Sequence, residues 1–245
     1  MNIKSLIKKL ASPAAGQQKP KKVVDPAKNT NCSRFEVDGW AISEFLVAKI
    51  VPAAGVHPFP LHELMLMVST VCRLRPPIIF EWGTNIGKSA RIFYETCRHF
   101  QISCPIHTVD LPDEALHGEH PKEKRGVLVK NLPGVFLHQG DGLATSLHIW
   151  RQNGQPVSPL FFVDGDHSYE SIKREVEGIL AEVPQPSLLI HDTFYQSPES
   201  GYNTGPHRAV AEVLAKNEGK FEVIHSGLSL PGMTLLHSIE KHCLG

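Results

Sequence analysis

The sequence predicts an α/β fold: a doubly wound, mostly parallel seven-stranded sheet whose last strand runs antiparallel, preceded by N-terminal helices. Three observations predict it. From Pro76 onward, short apolar runs alternate with amphipathic stretches, the rhythm of strands joined by helices. The runs are apolar throughout, so both sheet faces should be covered, as in parallel sheets. The last two runs, Phe221–Ile224 and Met233–Leu236, are joined only by the Gly- and Pro-containing stretch Ser226–Gly232. That is too short for a helical crossover, so they should pair antiparallel.

The elements follow in order. Residues 1–30 are rich in Lys with Asp25 as their one acid, and they read as a basic tail without core-forming periodicity. Within it, Ile3, Leu6, Ile7 and Leu10 share a helical face punctuated by Lys4, Lys8 and Lys9; a solvated, disordered tail is the favoured reading, and a basic amphipathic helix over residues 1–12 that meets a membrane surface or a partner is the alternative. Residues 31–75 read as a helical segment. Trp40, Ile42, Phe45, Leu46 and Ile50 recur at helical intervals, Pro52 interrupts, and Leu61, Leu64, Met65, Val68 and Val71 form a second stripe opened by Pro60. Residues 76–240 carry the sheet. Its strands are expected at Ile78–Phe80, Ile106–Val109, Val135–Leu137, Leu160–Val163 and Leu188–Ile190, before the final pair. Helices are expected at Ser89–Phe100, Lys122–Lys130, Leu143–Arg151, Tyr169–Val183 and Pro206–Lys216.

Composition excludes several classes. The 245 residues carry 25 Lys plus Arg and 25 Asp plus Glu, so no net field holds the molecule on nucleic acid. The five cysteines are odd in number and form no Cys-x-x-Cys pair, which argues against a disulfide framework or a thiolate zinc site. No apolar run reaches the roughly 18 residues of a membrane span. Lysines break the first apolar stretch where a secretion signal would need continuity. The expectation is a cytoplasmic protein, monomeric or a homo-oligomer, acting on a small molecule.

Polar residues gather where the strands end. In an open α/β sheet that rim is where ligands bind. Glu81-Trp-Gly-Thr-Asn-Ile-Gly-Lys-Ser89 follows the first strand. Gly83 and Gly87 let a ligand approach the backbone, and the next helix presents free amides. Asp110 ends the second strand, where a carboxylate can accept both hydroxyls of a ribose. Asp141 and Gly142 follow the third strand, with a helix cap as the competing reading for Asp141. Phe162-Val-Asp-Gly-Asp-His-Ser-Tyr-Glu170 places Asp164, Asp166 and His167 just past the fourth strand. His191 and Asp192 end the fifth, which makes Asp164 and Asp192 neighbours and suggests a hard cation such as Mg²⁺. The segment Phe194–Gly205 is long for a strand-to-helix loop, usually about 2–6 residues. It offers Tyr195 and Tyr202 as acceptor-binding groups.

These motifs resemble the class I S-adenosylmethionine-dependent methyltransferases over roughly residues 60–237. The carriers are Glu81-x-Gly-x-x-x-Gly-x-Ser89, Val109-Asp110, the Asp164–Glu170 block and His191-Asp-Thr193. The most similar group is the small-molecule O-methyltransferases related to macrocin O-methyltransferase and the cephalosporin-hydroxylase-type proteins. The resemblance implies the Rossmann-like methyltransferase fold and S-adenosyl-L-methionine as cofactor. Glu81, Gly83, Gly87 and Ser89 would flank its methionine moiety, Asp110 its ribose, and Asp141 with Gly142 its adenine. His167 or Asp164 would serve as general base toward a hydroxylated acceptor such as a sugar. Asp164, His191 and Asp192 match the metal positions of Mg²⁺-dependent relatives. His191 departs from that pattern, since it stands where an acid is common and imidazole is softer than Mg²⁺ prefers. A silent adenosine-ligand module and a nicotinamide-dependent oxidoreductase are the competing readings. The Gly-x-x-x-Gly spacing counts against the second.

Overall fold

The computed structural model describes residues 23–27, 34–118, 121–195 and 201–238. The basic tail at residues 1–22, Cys32, His120, Cys243 and residues 196–200 of the long loop lie outside them. Helix α1 (Gly39–Phe45) runs through a π-helical turn (Leu46–Ile50) into α2 (Val51–Ala54). Then come α3 (Leu61–Leu74), β1 (Ile79–Trp82), α4 (Lys88–His99), β2 (Ile106–Asp110), β3 (Val135–Gln139) and α5 (Gly142–Gln152). The chain continues through β4 (Leu160–Val163), α6 (Tyr169–Glu182), β5 (Ser187–His191), α7 (Gly205–Lys216), β6 (Phe221–Ser226) and β7 (Met233–Ser238).

The seven strands are ordered β3-β2-β1-β4-β5-β7-β6. The first five are parallel and β7 is antiparallel to both neighbours. The doubly wound sheet with an antiparallel last strand is therefore present as the sequence predicts. Strand alternation divides the core in two. Ile79, Leu160, Phe162 and Leu189 pack with α1, α3 and α4, whereas Phe80, Trp82, Phe161, Val163 and Ile190 pack with α5, α6 and α7. The order reverses between β1 and β4, which opens a crevice at their carboxyl ends. No helix among the described residues is long and apolar enough to cross a membrane.

Three local expectations are corrected. Pro52 does not interrupt the first helix. It sits in α2 just after the π-helical turn, where Val51 donates five residues back to Leu46, and this wider turn accommodates a residue with no N–H. Trp40 is 87% exposed, because it stands two positions before Ile42 and so points nearly opposite to it. Lys122–Lys130 is a single 3₁₀ turn (Lys122–Lys124) followed by tight turns. Gly126 takes φ 61°, and the amides of Gly126 and Leu128 donate to Asn85 and Ile86 at 2.8 and 3.0 Å. Tertiary backbone bonding thus replaces a helix there.

Candidate active site

The strand ends line a cleft of about 1030 Å³. Its first half is built at β1–β3. Gly83 follows β1 with φ 87°, and a Cβ there would lie 2.1 Å from the Asp164 carbonyl oxygen, so only glycine lets the β1 and β4 ends close together. Asp110 is buried; its Oδ2 accepts from Asn85 N–H at 2.9 Å and its Oδ1 from Leu111 N–H at 2.8 Å. Arg125 Nε stands 3.6 Å away. A carboxylate offers about four acceptor positions, so Asp110 keeps capacity toward the cleft.

The floor of this half is Trp82. A Cβ at Gly142 would lie 2.5 Å from its ring and one at Gly165 2.9 Å, so two glycine-containing turns rest on the indole. Glu81, next to Trp82 in β1, is fully buried, with no well-formed hydrogen bond to either oxygen. Burial pushes its carboxyl up to about 7, although the hydroxyls of Ser89 and Thr108 favour the charged form. Gly87 precedes α4 at φ 89° and gives that helix no side-chain cap. Asp141 caps α5 by accepting from Ala144 N–H at 2.8 Å, and it pairs with Arg174 at 2.8 Å. Its side chain is therefore already engaged, although the residue and Gly142 both line the cleft.

The second half is built at β4 and β5. His191 is buried at the end of β5; its Nδ1 lies 2.8 Å from Asp164 and its Nε2 3.1 Å from Glu63 of α3. His167 Nδ1 pairs closely with Asp192, and its Nε2 stands 3.4 Å from Asp164 without a hydrogen-bond partner. Tyr202 donates to Asp192 at 2.8 Å. Burial alone would lower both imidazoles, but the surrounding carboxylates win. His167 is pushed up to about 10 by Asp164 and Asp192, and His191 to about 10 by Asp164, Glu63 and Asp192. The same contacts hold the Asp164 and Asp192 carboxyls below the usual range against the opposing effect of burial.

Solved structures share this architecture. The calicheamicin methyltransferase CalS11 superposes with a TM-score of 0.53 at 16% identity, over 80% of this chain and 85% of that chain. An apo structure described as CalS11, a TDP-rhamnose 3'-O-methyltransferase, gives 0.51 at 18% identity, over 80% and 86%. A Klebsiella pneumoniae protein described as an O-methyltransferase gives 0.52 at 14% identity, over 81% and 96%. This chain shares the Rossmann-like fold of these methyltransferase structures. No protein-family model matches the chain, nor does any curated protein.

On that methyltransferase fold, the structure brings Gly83, Ser89, Asp110, Asp141, Gly142, Asp164, His167, His191 and Asp192 to one cleft. Glu81 sits in the wall behind it, and Gly87 packs against Val129 and Gly126. Tyr195 is 62% exposed with its ring 5.0 Å from that of His207. Ligand-type atoms of Asp164, His167 and His191 lie within 4.8 Å of one another. The trio thus includes His167 rather than the expected Asp192. Sequence reasoning missed Glu63 and Glu175. Glu63 lies four residues before Met67 and seven before Thr70, all buried on α3, so a carboxylate on an apolar helical stripe was the available signal. Glu175 is a similar buried acid on α6. Burial pushes it up to about 7, and its Oε2 has no hydrogen-bond partner.

Proposed function

We propose that this chain is an S-adenosylmethionine-dependent O-methyltransferase acting on a hydroxylated small molecule. The observation that carries the reading is the pairing within one cleft of the backbone-held Asp110 with the imidazole–carboxylate row at Asp164, His167 and Asp192. The first half fits the cofactor's adenosyl group. Asp110 has acceptor capacity for a ribose diol, and the glycine turns over Trp82 leave a shallow floor for a flat base. Ser89, in the uncapped first turn of α4, stands on the side expected for the methionine moiety.

When bound, S-adenosylmethionine supplies an electrophilic methyl group on a sulfonium. The chain's own task is to place an acceptor oxygen and receive its proton. Alignment of this kind contributes on the order of 7–11 kcal/mol in favourable cases. Asp192 fixes His167 through Nδ1, which leaves Nε2 facing Asp164 as the proton-accepting atom. His167 binds a proton tightly at rest, so the base step runs through its deprotonated fraction and gains rate as pH rises.

Mg²⁺ does not fit the residues present. It prefers near-octahedral oxygen ligation, whereas the trio offers two imidazoles and one carboxylate. Both nitrogens of His191 already face carboxylates.

The test is calorimetry with S-adenosylhomocysteine, with NAD as control, followed by a screen of hydroxylated acceptors using radiolabelled S-adenosylmethionine. The neighbour described as acting on TDP-rhamnose makes sugar nucleotides the first acceptors to try. Binding of S-adenosylhomocysteine but not NAD is expected. The reverse would overturn the reading, and cofactor binding without any turnover would favour a silent binding module.

A further inference from the structure

We propose that Glu63 holds the His191 ring as a doubly protonated cation at the end of β5, and that this internal cation stands in the place of a divalent metal ion. Its catalytic consequence rests on the methyltransferase reading above; its structural part does not.

The argument begins with burial. Glu63 has no exposed surface, and it reaches the site from α3, outside the sheet. A buried carboxylate costs several kcal/mol unless it is paired and hydrogen-bonded. Each of its oxygens has a partner: Oε1 accepts from Gly232 N–H at 2.7 Å, and Oε2 faces His191 Nε2 at 3.1 Å. On the other side of the ring, His191 Nδ1 faces Asp164 Oδ1 at 2.8 Å. Ionised carboxylates only accept hydrogen bonds, and a neutral imidazole has one N–H. A neutral His191 would therefore set a lone pair against one of two carboxylates. With both nitrogens protonated, each contact becomes a charge-assisted hydrogen bond. Phe59 packs edge-on against the ring at 4.9 Å and shields it.

The same contacts leave a metal ion little to bind. A ligating histidine must present a free lone pair, and His191 has neither nitrogen free. Asp164 Oδ1 faces His191, while the two oxygens of Asp192 face His167 and Tyr202. Of the ring nitrogens in this row only His167 Nε2, 3.4 Å from Asp164, lacks a hydrogen-bond partner, and one nitrogen does not make a metal site. Glu63 is a positioning residue, acting through His191 on the orientation of Asp164.

The experiment uses the full chain with ¹⁵N-labelled histidine, together with a Mn²⁺ titration followed by water-proton relaxation, with and without S-adenosylhomocysteine. The wild-type protein at neutral pH is expected to show a histidine with both ring nitrogens protonated, lost from the spectrum of His191→Gln. It is also expected to show no stoichiometric Mn²⁺ binding. Glu63→Gln removes one accepting carboxylate, so the Nε2 signal should move toward that of an unprotonated nitrogen while S-adenosylhomocysteine affinity stays within about threefold. A purely structural Glu63 would leave the nitrogen signature unchanged. A bare nitrogen on His191 in the wild type, or stoichiometric Mn²⁺ binding that shifts the His191 signals, overturns the proposal. Both wild-type measurements decide it even if a variant fails to fold. Failure of S-adenosylhomocysteine to bind would instead overturn the methyltransferase reading, leaving ring protonation and Mn²⁺ binding to decide this one.

Discussion

The two halves of the cleft are built on opposite plans. At β1–β3 the backbone does the positioning. Asp110 is held by amides 25 residues and one residue away, and glycines set the approach of neighbouring turns. At β4 and β5 side chains hold one another, and the contacts of Glu63 span 128 and 169 residues. A backbone-held site tolerates changes in charge nearby. A site held by charge balance depends on every member and on pH, because removing one partner of a buried pair strands the other.

The largest expected effect breaks the second half alone. His167→Gln should lower methyl transfer by about 10²–10⁴-fold, the usual range for lost acid–base function, with S-adenosylhomocysteine affinity within about threefold. Asp110→Ala should do the converse. Loss of charge-assisted hydrogen bonds of about 1.5–3 kcal/mol corresponds to roughly 10–100-fold weaker cofactor binding, with the rate recovered at saturating cofactor. Calorimetry and steady-state rates on the two variants form the comparison. If each variant loses both properties, the halves are not separable.

The pH profile sharpens the same contrast. Carboxylates push His167 up to about 10, so the neutral base is scarce at neutral pH and grows with each step toward that value. The expected transfer rate therefore climbs from neutral pH toward 10 and levels there, while cofactor affinity stays comparatively flat. A rate already level at neutral pH would move the proton-accepting role from His167 to Asp164, whose carboxyl is held below the usual range.

The same division explains what the sequence made legible. The sheet, its antiparallel last strand and the first half of the cleft were readable because each rests on local pattern. Apolar runs end at Gly83, Asp110 and Asp164, and a strand end fixes where its next residue stands. The second half was readable only in part. His167, Asp164 and Asp192 announce themselves as a cluster past β4 and β5, but the partner that completes His191 is Glu63, on a helix 128 residues earlier. No spacing rule links those positions. Asp141 illustrates a different limit. Helix capping and adenine recognition ask for the same residue type at the same place, and here the side chain caps α5 and pairs with Arg174. The failed helix at Lys122–Lys130 is a third kind, in which tertiary hydrogen bonds outweigh propensity.

Glu81 offers a smaller effect that probes the backbone-held half. Burial raises its carboxyl from 4.5 to about 7. The folded state then binds the proton more tightly than the unfolded state. Stability from this group is intact below 4.5 and falls as pH rises through the window to about 7, by an amount on the order of 3 kcal/mol. Glu81→Gln removes the titration. Its melting temperature should fall less than that of the wild type between pH 5 and pH 8. Parallel melting curves for the two proteins would place the carboxylate's charge in a better solvated setting than its burial implies.

The smallest effects separate two tyrosines that the sequence presents as equals. Tyr202 is tied to the charge-balanced half, since its hydroxyl donates to Asp192, the carboxylate that orients His167. Tyr202→Phe removes one hydrogen bond to a charged group, about 1.5–3 kcal/mol at most, and should slow transfer by about tenfold with little change in cofactor affinity. Tyr195 touches none of this network. It is 62% exposed, and its described ring contact is with His207, 5.0 Å away. Tyr195→Ala should therefore change kcat/KM by no more than about threefold, the scale of a surface substitution. Measured with one acceptor at several concentrations, the pair distinguishes a rim residue from a site residue. If Tyr195→Ala costs as much as Tyr202→Phe and the loss falls in the acceptor KM, the exposed ring folds over the acceptor. The second half of the cleft then extends beyond the charged row.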